Sequence, residues 1–140
     1  MNMYRGYRQN ESDGGWTRID LLLALYDNAL ERLDRAEGSF HAGESGAVVA
    51  QLVKTQNVLM ALAAGVCVEV SPETNTNLLR LYEYMVTELT RPSLVAIANV
   101  RRIMSTLREG FEAVRVEANE MERTGQLASA ERAQAVLVIA

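Results

Sequence analysis

The sequence predicts an all-α fold: an antiparallel four-helix bundle with a flexible N-terminal leader and a C-terminal tail able to form a short helix. Three observations predict it. Apolar residues recur every three or four positions through most of the 140 residues, the period of one helix face. No stretch alternates apolar and polar residues for long, so the strand period is missing. The breaks are short and marked by Gly or Pro: "SDGG" at 12–15, "HAGESG" at 41–46, "VSPETN" at 70–75 and "TRPS" at 90–93. Short connections between long amphipathic helices make antiparallel neighbours. The leader is then residues 1–16, the bundle 17–124 and the tail 125–140.

The first helix is expected from about Thr17 to Ser39. Thr17 supplies a capping hydroxyl and Asp20 an acid three positions on, the pattern of a helix start. Its stripe is Ile19, Leu22, Leu23, Tyr26, Leu30, Leu33 and Phe40. The second runs from near Gly46 to about Val66. Val48, Leu52, Leu59, Leu62 and Val66 form one stripe, and Val49, Val53 and Met60 form another beside it. Apolar residues on more than one face suit a central position in the bundle. The third helix begins near Pro72, a residue suited to a first turn, and carries Leu78, Leu81, Tyr82, Met85 and Leu89. The fourth begins near Pro92, exceeds twenty residues, and carries Leu94, Ile97, Val100, Met104, Leu107, Phe111 and Val114. The tail ends in the wholly apolar "AVLVIA". Ser129 can cap a short helix there, and the run either docks on an apolar groove or stays unfolded.

Composition excludes several functions. The net charge is −4, against a general affinity for nucleic acid, which wants a basic stripe. The longest apolar run, "VLMALAAGVCV", has eleven residues, too few to cross a bilayer. One cysteine, Cys67, makes no internal disulfide, and the leader has no apolar signal segment; a soluble cytoplasmic protein is expected. With a single histidine, His41, the chain cannot supply the two Glu-x-x-His motifs of a carboxylate-bridged metal bundle. Cys67 and His41 are too few for zinc. Cys67, at the end of an apolar helix, reads as an inert buried thiol. No phosphate-cradling loop exists. Catalytic residues, metal and cofactor are all expected to be none.

Apolar surface remains. Tyr84, Val86, Leu79, Val53 and Met60 lie off the main stripes. Three explanations stand: a wide, well-packed stripe, a homodimer interface, or a groove that receives a partner's amphipathic helix. Tyr82 and Tyr84 point about 200° apart on a helix, so they cannot share one core.

Four segments resemble the flagellin-specific secretion chaperone family, FliS. "LLLALYDNAL", with Leu25, Tyr26 and Asp27, is similar to its first-helix signature. "LVKTQNVLMAL", with Lys54 and Gln56, is similar to its second helix. "NLLRLYEYM", with Asn77, Leu78, Leu81, Tyr82, Tyr84 and Met85, resembles its third. "LREGFEAV" resembles its last, with Phe111 where the family usually has Trp. The leader's "YRQN", from Tyr7, resembles its N-terminal tyrosine segment. The matches run in order over residues 7 to 115, and residues 125–140 have no counterpart. The resemblance implies a non-enzymatic cytoplasmic chaperone that binds the disordered C-terminal segment of flagellin. It would prevent premature polymerisation and assist delivery to the flagellar type III export apparatus, with an export-gate component as a further partner. On the matching segments the expected groove contacts are Gln56, Leu59, Leu78, Tyr82, Tyr84 and Met85. Of these, Tyr82 and Met85 also serve the bundle and Tyr84 the groove rim. The leader around Tyr7 is expected to cap the empty groove. Monomer and homodimer both remain open, and a bundle homodimer without a chaperone role is the rival reading.

Overall fold

The computed structural model describes residues 18–124. Four helices account for nearly all of them: α1 (Arg18–His41), α2 (Ser45–Ala64), α3 (Pro72–Glu88) and α4 (Leu94–Arg123). The bundle predicted from periodicity is the bundle observed. α1 packs along both α2 and α4, α2 packs on α3, and α3 touches α4 only lightly. Thr17 and Tyr7 lie outside the described residues.

Local chemistry sets each boundary. α1 stops where Gly43 takes φ +73, a left-handed conformation that costs glycine little and other residues more. The turn closes with Glu44 N–H donating to the Ser39 carbonyl at 2.9 Å. α2 stops two residues earlier than the apolar pattern suggested, because Gly65 caps it and its N–H donates to the Leu62 carbonyl at 3.1 Å. α3 opens with Pro72 in its first turn, as expected. α4 opens one residue after the true cap, Ser93, whose Oγ accepts from Ala96 N–H at 3.0 Å. Ser93→Ala should cost about 1 kcal/mol, a fall in melting temperature of about 4 °C. A scanning melt checks it, and an unchanged midpoint would mean that water replaces the cap at no cost.

The core is where the stripes meet. Ile19, Leu23, Tyr26, Leu33, Leu52, Leu59, Tyr82, Met85, Ile97, Val100, Met104 and Phe111 are all buried. Tyr26 stacks edge-on against Phe111 and Tyr82, with centroids at 5.6 and 6.5 Å. The two tyrosine hydroxyls share a hydrogen bond of 2.6 Å, so neither burial leaves a polar atom unpaired. Two stripe residues lie elsewhere. Phe40 is in the last turn of α1, at the rim of the bundle, and Leu81 is on the outer side of α3; both are exposed. Ala29 and Ala36 fill the core positions facing α1's neighbours instead.

α1 and α4 are held in register by charge. Arg115 meets Asp20 at 2.7 Å, Arg108 meets Asp27 at 2.5 Å, and Arg101 meets Asp34 at 3.0 Å and Glu37 as well. Seven residues forward on α1 match seven back on α4, which is the geometry of a heptad seam between antiparallel helices. Such partly exposed pairs add little stability singly. A slip of one position would separate every pair, so together they select the register.

Candidate functional site

The second apolar stripe of α2 is the feature the core does not use. Val49, Val53 and Met60 are 48%, 47% and 51% exposed. They lie within about 40° of each other around the helix and span about 16 Å along it. α2 packs on both α1 and α3, yet its second stripe is not buried by a described neighbour. By length and composition α2 could also cross a membrane, contrary to the expectation drawn from its longest unbroken run. In this fold its apolar residues divide between the core and the exposed stripe.

Gln56 shares that side of α2. Its Nε2 donates to the Val86 carbonyl at 2.9 Å, bridging α2 to α3 beneath the stripe. Val86 and Leu79 on α3 are half-buried along the same seam. At the Val49 end the stripe opens into an apolar pocket of about 340 Å³, lined by Phe40, Val48, Val49 and Pro92 beside the Gly43 turn.

The six expected groove residues fall into three groups. Leu59, Leu78, Tyr82 and Met85 are buried in the core. In the free chain their stripe faces the helices that pack on it, which leaves them little or no exposed surface. They support the seam from below. Gln56 is at the seam. Tyr84 is exposed, but on the far side of α3, where its hydroxyl accepts from Asn99 Nδ2 on α4 at 3.0 Å. Tyr84 and Gln56 therefore line different seams, as the angle between Tyr82 and Tyr84 requires. Val49, Val53 and Met60 were visible in the sequence as a surplus stripe. No sequence signal distinguished a stripe left open from one covered by another helix.

Other candidates offer no chemistry. Cys67 is half-buried in the loop after α2 rather than buried at its end. The loop peels away because Gly65 ends the helix, and Asn75 Nδ2 ties it down by donating to the Cys67 carbonyl at 2.7 Å. His41 is exposed beside Glu37. A polar cleft of about 400 Å³ on the α1–α4 seam is lined by Asp20, Asp27, Arg108, Glu112 and Arg115. Both of its guanidiniums are engaged by carboxylates, and the hydrogen bonds that Arg108 and Arg115 donate to Asp27 and Asp20 hold them above the ordinary arginine range. Among the described residues no three His, Cys, Asp or Glu side chains cluster as metal ligands.

What remains is a helical bundle with one open apolar seam, and its sequence matches the model of the flagellar protein FliS family over residues 1–119. The chain belongs to the FliS family. FliS is a family of flagellar chaperones, not of enzymes. A search of curated proteins found no significant match. The FliS match covers the leader and all four helices up to Asn119, and it stops short of the apolar tail.

Proposed function

We propose that this FliS protein is an export chaperone for flagellin: it binds the C-terminal segment of flagellin in the cytoplasm, delays its polymerisation and assists its delivery to the export apparatus. The family match carries the reading. The open seam of α2 and α3 supports it. A disordered segment with an amphipathic pattern gains apolar burial by folding as a helix on such a stripe, and that burial offsets the chain entropy it loses. Val49, Val53 and Met60 supply the apolar contact. Gln56 holds the floor of the seam, and Tyr84 offers a second, amphipathic contact on the other side of α3.

Mixing the full chain with a flagellin C-terminal peptide tests the proposal. The expected result is a complex of one peptide per chain by calorimetry, with a negative heat-capacity change and a gain of helicity by circular dichroism. A homodimer whose mass and helicity ignore the peptide would overturn it in favour of self-association through the same stripe.

A further inference from the structure

We propose that the C-terminal segment of this chain, residues 128–140, docks on the exposed stripe of α2 formed by Val49, Val53 and Met60. The position of the chain's exit favours it. α4 ends at Arg123, and Glu122 receives the Arg18 N–H at the start of α1. α1 and α2 are antiparallel, so α4 ends at the same end of the bundle as the Met60 end of the stripe. Helix axes in contact lie 8–10 Å apart. The ten residues 125–134 reach up to about 33 Å, enough to cross from α4 to α2 with slack.

The chemistry and dimensions also match. Residues 135–140, "AVLVIA", carry no charged or polar side chain. In extended form six residues cover about 20 Å, against about 16 Å from Val49 to Met60. The pocket beside Phe40 and Pro92 extends the stripe at its far end. The tail lies beyond the part of the chain that the FliS family shares, so the covering device belongs to this protein rather than to the family's common bundle. An apolar segment docked there would shield surface that otherwise invites association. One consequence rests on the flagellin reading: the tail and flagellin then compete for the same stripe.

Disulfide trapping in the full chain tests the docking without flagellin. The variant Cys67→Ser, Val53→Cys, Val138→Cys is oxidised mildly at low protein concentration. The expected product is a monomer cross-linked within one chain, lighter by two hydrogens and faster on a non-reducing gel. A control moves the first cysteine to Val116→Cys, an exposed site on α4, the helix that leads into the tail, and is expected to cross-link far less. Cross-links only between chains would overturn the proposal in favour of a second copy on the stripe. No cross-link, or equal cross-linking at both sites, would overturn it outright. Competition is read separately: Val138→Asp should tighten flagellin-peptide binding about threefold or more, as release of a state that occludes the site requires. Trapping without competition would retain the docking and reject the flagellin site on this stripe.

Discussion

Met60→Glu is expected to weaken flagellin-peptide binding about tenfold or more, while Met85→Glu unfolds the protein. Both residues are methionines on neighbouring helices, and their surroundings separate them. Met60 is half-exposed on the open stripe and Met85 is fully buried beneath it. A charge at Met60 stays hydrated in the free protein and alters stability by about 0.5 kcal/mol or less. In a complex it faces apolar atoms, and loss of one anchoring contact commonly costs about 2 kcal/mol. A charge at Met85 has no partner in the core. Its desolvation costs several kcal/mol, comparable with the roughly 5–15 kcal/mol that holds a domain folded. Thermal melts and calorimetry on both variants check the pair. A folded Met85→Glu that fails to bind, with a Met60→Glu that binds normally, would move the partner surface from α2 to α3.

The second large effect is alkaline. Stability should fall steeply above about pH 10, the ordinary tyrosine pKa, and the fall should vanish in Tyr26→Phe/Tyr82→Phe. Burial, with Tyr82 adding to it, pushes the Tyr26 hydroxyl well above that value, and burial pushes Tyr82 up too. Both groups therefore stay neutral in the fold at a pH where the unfolded chain ionises them. Their contribution is complete below the unfolded pKa and is lost as pH rises through the gap to the folded pKa. Each group contributes a slope of about 1.4 kcal/mol per pH unit there, so the pair gives about 2.7. Urea titrations from pH 8 to pH 11 on the wild type and the double variant measure it. Equal slopes in the two proteins would remove the buried pair as the cause. Near neutral pH, Tyr82→Phe alone leaves the Tyr26 hydroxyl without its 2.6 Å partner and should cost about 1–3 kcal/mol, whereas the double variant removes both polar groups and costs less.

Much of the bundle is legible in the sequence because a helix face is periodic. Ile19, Leu23, Tyr26 and Leu33 are spaced by four, three and seven, and all four are buried. Gly43, Gly65 and Pro72 mark helix ends through backbone constraints that act locally. Phe40 and Leu81 fit the same period and are exposed, because periodicity gives a direction around a helix and not the presence of a neighbour. The site was legible only in part for the same reason. Gln56 was singled out, and it reaches α3 through a carbonyl, Val86, that no side-chain pattern reveals. Leu59, from the same motif, and Leu78, Tyr82 and Met85, from the motif on α3, face inward.

By itself the sequence determined four amphipathic helices, their approximate ends, and the family to which the chain belongs. These depend on local conformational preference and on residue order, both of which travel with the chain. Tertiary packing alone decided which stripes are covered. Asp20, Asp27 and Asp34 recur every seven residues, as do Arg101, Arg108 and Arg115, yet only the antiparallel contact of α1 with α4 pairs them. The two stripes of α2 are chemically alike. One is core and the other is surface because α1 and α3 occupy the first side and no described helix occupies the second. Burial is a property of two surfaces meeting, and a single chain segment encodes only one of them.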